Sequence, residues 1–92
     1  VESGISPIDI REKFALRGHE TVQILQFFSD MDLHPELRTV VEPLRVAAFT
    51  LVNRLKDGPQ LTAALVKLVE AKDTFCRHYL ITHNFKLVQH DA

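Results

Sequence analysis

The sequence predicts an all-α protein built around an antiparallel hairpin of two long helices, and three observations carry that prediction. Apolar residues recur at alternating spacings of four and three along residues 37–55 and again along 61–79. The tight turn Lys56-Asp57-Gly58-Pro59 joins the two stretches, and a link that short forces the helices side by side and antiparallel. No segment alternates apolar and polar residues long enough to make a convincing strand.

Four helical stretches follow in order. Ser6-Pro7-Ile8-Asp9 supplies a capping hydroxyl, a proline at the first helical position and an acid at the third, so a helix starts there. It is expected to run to about Arg17 with Gly18 as its stop, burying Ile10 and Phe14, which lie four apart. In the stretch His19–Met31, Val22, Leu25 and Phe28 suit a helix, while Val22, Ile24 and Phe28 partly suit a strand. The reading is a short helix that ends at Ser29-Asp30 in a turn.

Pro35 opens the third stretch, whose seam is Leu37, Val41, Leu44, Ala48, Leu51 and Leu55. Pro43 removes the hydrogen bond to the Thr39 carbonyl, and a helix so strongly patterned is expected to kink there and continue to about Lys56. The fourth helix runs from Pro59 to about Leu80 on the seam Leu61, Leu65, Leu68, Lys72, Phe75 and Tyr79. The chain thus reads as one helical domain, 1–92, with an N-terminal extension (1–26), the hairpin (27–80) and a tail (81–92). Phe85, Leu87 and Val88 lie in that tail, which is expected to dock across a neighbour.

Composition narrows the function. Hydrophobic residues make up 46% of the 92 and charged residues 25%, the balance of an ordinary globular domain. A chain this short buries only about 60–65% of its unfolded surface, so its core is thin. Two apolar sets lie off the seams, Val40, Ala47 and Phe49 on one helix and Val66, Val69, Cys76 and Leu80 on the other. Either the N-terminal helices cover them or a subunit interface does, and a homo-oligomer is expected.

Eleven Lys and Arg against twelve Asp and Glu offer no broad basic field for duplex nucleic acid or an anionic membrane. No run approaches the roughly 18 apolar residues of a membrane span. The single cysteine, Cys76, excludes an internal disulfide and a multi-cysteine zinc site, so a reducing cytosol is the expected compartment. The three glycines form no phosphate-binding loop, which speaks against a Walker or Rossmann enzyme.

Little in the sequence suits catalysis or a metal. His19, His34, His78, His83 and His90 form no HExxH or HxH pair. Cys76 and His78 stand two apart and point in different directions on a helix, and nothing nearby supplies Cys76 with a base. Glu70 and Asp73 read as a solvated helix surface. No catalytic residue, metal or cofactor is expected.

The informative polar residues are cations set in apolar helix. Arg45 lies one residue off the seam, Arg77 lies between Phe75-Cys76 and Tyr79-Leu80, and Lys67 and Lys72 interrupt the last helix. Their aliphatic stems can cover apolar surface at an interface edge. Alternatively, cations from several subunits converge on an anion, for which the planar fork of arginine suits phosphate. Phe27 and Phe28, before the first long helix, read either as core residues or as rings that stack on a base.

The segments Leu44-Arg45-Val46-Ala47-Ala48, Asp57-Gly58-Pro59 and Leu61-Thr62-Ala63-Ala64-Leu65-Val66-Lys67-Leu68-Val69-Glu70-Ala71 resemble the hairpin domain of small phage anti-defence proteins. These are the cyclic-oligonucleotide sponges of the anti-CBASS and anti-Thoeris type, and the resemblance covers residues 27 to 80. It implies a small all-helical protein of the host bacterial cytosol, often hexameric. Such a protein binds cyclic di- or trinucleotide immune signals between subunits without cleaving them. By position, Arg45 matches a phosphate-contacting basic residue, and Arg77 matches a basic residue near the end of the second helix in some members. The family's stacking tyrosine falls near Asp30 here, so Phe28 is the expected replacement, with Thr62 and Lys67 as secondary polar contacts. The competing readings are a helical oligomerisation or protein-interaction module without a nucleotide ligand, and a small DNA-binding regulator. The last would need a basic recognition helix, and neither long helix groups its cations on one exposed face.

Overall fold

A computed structural model describes the backbone of residues 4–91 and the side chains of residues 4–83. Its elements are α1 (Pro7–Lys13), α2 (His19–Leu25), a 3-10 turn (Gln26–Phe28), α3 (Pro35–Arg54) and α4 (Pro59–Asp91). The described residues include no strand, as the sequence predicts.

The start of α1 is a full capping box. Ser6 Oγ accepts from the Asp9 N–H at 3.0 Å, and the Asp9 carboxylate accepts from the Ser6 N–H at 3.2 Å. The helix ends at Lys13, short of the expected Arg17. Phe14 turns inward there and meets Phe49 edge-on at a centroid distance of 5.0 Å. Arg17 is then drawn to the end of α3. Gly18 does not stop α1 but forms the N-cap of α2, in extended backbone.

The 3-10 turn after α2 buries Phe28 and hands the chain to Ser29 and Asp30, where the helical stretch ends as expected. Pro43 lies inside a continuous α3, where both it and Thr39 are exposed. The last helix continues past the expected end at Leu80 to Asp91. No Gly or Pro occurs between Ile81 and Asp91, so nothing in the backbone chemistry stops it. The side chains of Phe85, Leu87 and Val88, on which the docking expectation rests, lie outside the described residues.

α3 and α4 form the antiparallel hairpin. Leu55 and Leu61 sit together at the turn end, and Tyr79 donates to the Glu36 carboxylate at the opposite end. α1, α2 and the 3-10 turn lie across one face of this hairpin. Between the layers sit Ile10, Phe14, Leu25 and Phe28, packed on Ala48 and Val52 of α3 and on Leu61 and Leu65 of α4.

The buried stripe of α3 departs from the expected seam. Val41, Ala48 and Val52 are fully buried, whereas Leu51 and Leu55 are about half exposed. A straight helix drifts by about 20° per heptad against a strict seven-residue repeat. The face that counts here is the one under the N-terminal layer, and it drifts on to Val52. On α4 the seam is buried at Leu61 and Leu65 and thins out beyond, so that Phe75 is 55% exposed. The N-terminal layer accounts for part of the off-seam apolar set, since Phe49 and Val69 pack against the core.

Gly4 has a specific reason to be glycine. A Cβ there would lie 2.8 Å from the carbonyl carbon and oxygen of Asp30 and closer still to its carboxylate. The N-terminal strap can therefore lie against Asp30 only without a side chain at that point.

Candidate ligand-binding site

Three cations of the hairpin converge on residues 27–33, the end of the 3-10 turn and the loop that leads toward α3. Arg38 donates through Nε to the carbonyls of Asp30 (3.0 Å) and Leu33 (3.1 Å), and through a terminal nitrogen to that of Met31 (2.8 Å). Arg45 donates to the Asp30 carboxylate at 2.5 Å. Lys72 crosses from α4 to donate to the Phe27 carbonyl at 2.8 Å and also pairs with Asp73 at 2.9 Å. Helices hold all three cations, so the loop is fixed from a rigid side.

Asp30 organises this region. Its side chain is 3% exposed and that of Arg45 17%. The second carboxylate oxygen accepts from the Ile5 N–H at 2.8 Å, while the Ile5 carbonyl accepts from the N–H groups of Asp30 and Met31 at 3.0 and 3.2 Å. A carboxylate therefore already satisfies the cation chosen for phosphate contact.

The two adjacent phenylalanines part company. Phe28 is completely buried and contributes both ring faces to the core. Phe27 is 61% exposed, and its own carbonyl anchors Lys72. Sequence reasoning named both rings, and only long-range packing separates them.

Thr62 donates to the carbonyl of Gly58, just before α4, at 3.2 Å and lies at the edge of a cleft of about 340 Å³. Gly18, His19, Thr21, Asp57 and Pro59 also line that cleft. Lys67 and Arg77 project from α4 into solvent and form no ion pair with a described residue. Arg45, Thr62, Lys67, Arg77 and Phe28 are thus not gathered into one pocket of the single chain.

A second polar knot, which the sequence did not signal, closes the other end of the molecule. Arg17 donates to the carbonyls of Val52 (2.5 Å) and Leu55 (2.7 Å), capping α3, and grips Asp57 at 2.8 and 3.1 Å. Asp57 also accepts from the Gly18 N–H at 2.7 Å and the buried Thr21 hydroxyl at 2.8 Å. These bonds, the Arg17 guanidinium first, then Gly18, then Thr21, hold its carboxyl from an ordinary 3.8 down to about 2. A folded-state value below the unfolded one gives stability that is complete above about pH 4 and lost as pH falls toward about 2. The thermal midpoint is expected to drop across that window, and Asp57→Asn should flatten the drop when melting is followed by circular dichroism against pH.

Other titratable groups among the described residues are shifted by burial or by a neighbouring carboxylate. Burial pushes the Cys76 thiol up, away from the thiolate, with Asp73 adding to the effect and Lys72 opposing it. The Glu36 carboxylate raises the Tyr79 hydroxyl by accepting its hydrogen bond, and the His83 ring stacks on Tyr79 at 3.8 Å. His34 caps α3, its Nδ1 accepting from the Glu36 N–H at 3.2 Å. The described residues include no group of three metal-ligating side chains, and no helix among them is long and apolar enough to cross a membrane.

No family model, curated protein or solved structure matches the chain.

Proposed function

We propose that the chain is a non-catalytic binder that sequesters cyclic di- or trinucleotides between copies of itself. In this reading it is an immune-evasion sponge that withholds a signal without cleaving it. The observation that carries the reading is the segment 27–33: an exposed ring, Phe27, whose carbonyl holds Lys72, with Arg38 and Arg45 of α3 bonded to Asp30 in the same segment. A ring and fixed cations are the chemistry that recognises a base and its phosphates. Phe27 takes the stacking role first given to Phe28, because a fully buried ring has no face to offer. Lys67 and Arg77, exposed on α4, are the cations that a second copy would bring toward a shared ligand. The resemblance covers this same hairpin and loop, and it supplies the ligand class.

One observation favours the second reading, a helical interaction module without a nucleotide. Arg45 is neutralised by Asp30, and carboxylates line two clefts of the single chain, Asp57 in one and Glu36 in the other. A thermal-shift screen separates the two readings. Ligand at about a hundred times its dissociation constant adds about 2.7 kcal/mol of stability, a shift of many degrees for a domain this size. A selective shift with cyclic di- or trinucleotides, absent with linear ones and with intact ligand recovered afterwards, is the expected result. No shift with any cyclic nucleotide would leave the interaction module.

A further inference from the structure

Asp57 is the one aspartate of the chain that precedes a glycine. Such a pair carries a chemistry of its own, because the backbone nitrogen that follows an aspartate can attack its Cγ and close a five-membered succinimide. Glycine makes that attack easiest, since no Cβ crowds its nitrogen. Asp9, Asp30, Asp32, Asp73 and Asp91, and likewise Asn53 and Asn84, all precede residues that have one. The Asp57-Gly58 pair stands in the turn between α3 and α4, outside both helices. Among the described residues none accepts a bond from the Gly58 N–H. The Asp57 side chain is 38% exposed, so water reaches it.

The carboxylate itself is held on both oxygens. One accepts from Arg17 Nε (3.1 Å), a terminal Arg17 nitrogen (2.8 Å) and the Thr21 hydroxyl (2.8 Å), and the other accepts from the Gly18 N–H (2.7 Å). Ring closure must expel one of these two oxygens as water, so the clasp has to open before the ring can form. We infer that Asp57-Gly58 is a site of spontaneous isoaspartate formation, which the clasp of Arg17, Gly18 and Thr21 keeps shut in the folded chain. In the reaction the Gly58 nitrogen bonds to Cγ of the protonated carboxyl, and its proton leaves with the carboxyl hydroxyl as one water. Solvent water then opens the ring at either carbonyl. Attack at Cγ restores aspartate, whereas attack at the former main-chain carbonyl leaves Gly58 joined through Cγ, which is isoaspartate. Nothing is oxidised or reduced, and water is the only co-reactant. The clasp also holds the carboxyl down to about 2, which keeps the protonated form scarce at neutral pH. Isoaspartate lengthens the turn by one methylene and moves the free carboxylate, so the tie between the N-terminal layer and the hairpin is lost and refolding does not restore it.

The inference stands on the clasp alone and is tested without any ligand. The whole chain is incubated at neutral pH, and isoaspartate at residue 57 is followed by peptide mapping and by methyl transfer from an isoaspartyl methyltransferase. The urea-unfolded chain is expected to accumulate it. The folded parent should do so more slowly by about tenfold or more, because the reaction follows the fraction of chains with the clasp open. Arg17→Ala should raise the folded-state rate. Thr21→Val, which keeps the shape of a buried side chain and removes one bond, should raise it by less while the helical circular dichroism is retained. Gly58→Ala should suppress the reaction even in urea. The turn accepts that change, since a Cβ at Gly58 meets nothing within 4 Å and no described glycine has a positive φ. A folded parent that modifies as fast as the unfolded chain would overturn the inference. So would an unfolded chain with no isoaspartate at residue 57, or a folded Thr21→Val chain that modifies no faster than the parent.

Discussion

Replacing Phe28 with alanine is expected to cost about 4 kcal/mol, the scale of emptying a phenylalanine site in a closed core. Phe28 is the largest of the fully buried side chains and stands among Ile10, Leu25, Val52 and Leu65. A domain of this length holds only about 5–14 kcal/mol in all, so the thermal midpoint should fall by roughly 20 °C. The neighbouring Phe27→Ala should do the reverse. An exposed ring contributes within about 0.5 kcal/mol to folding, while a base stacked on it is worth about 1–3 kcal/mol of binding. Melting curves and calorimetry on the two variants therefore give opposite patterns, one lost in stability and the other in affinity. A Phe28→Ala chain that melts with the parent would take Phe28 out of the core and restore it as the stacking ring.

The pair shows where the sequence was legible. Local signals gave the elements: the Ser6-Pro7-Ile8-Asp9 cap, the prolines opening the two long helices, and the turn that makes the hairpin. Each of these acts within a few residues, so each can be read along the chain. The errors lie where distant segments decide. Arg17 leaves α1 because carbonyls 35 and 38 positions away need a donor. Leu51 and Leu55 lose their place in the core to Val52 because the covering layer sits to one side of the seam. Phe27 and Phe28 carry the same side chain, and only the course of the 3-10 turn decides which one faces solvent. Asp30 and Asp57 were invisible as organising residues because each draws its partners from several elements, and no spacing along one element marks them.

Asp30→Ala is expected to cost about 3 kcal/mol, because breaking a buried ion pair from one side leaves the other charge without compensation. Two groups lose their partner at once: the Arg45 guanidinium, 17% exposed, and the Ile5 N–H. The strap at Gly4 and Ile5 then keeps its backbone bonds to residues 30 and 31 and the packing of Ile5 on the core. Arg45→Ala should cost less, since the carboxylate it leaves behind still accepts from Ile5. The double variant should be milder than the sum of the two by about 1–3 kcal/mol, the coupling of a direct charge pair, as read from urea unfolding midpoints. The same pair tests the site. If a phosphate is to reach Arg45, it must compete with Asp30, so Asp30→Asn should weaken the fold and tighten binding of the cyclic nucleotide. Arg45→Ala should then erase that gain. A ligand with equal affinity for the parent, Asp30→Asn and Arg45→Ala makes no use of Arg45, and the ion pair is then a structural clasp that fastens the N-terminal strap to α3.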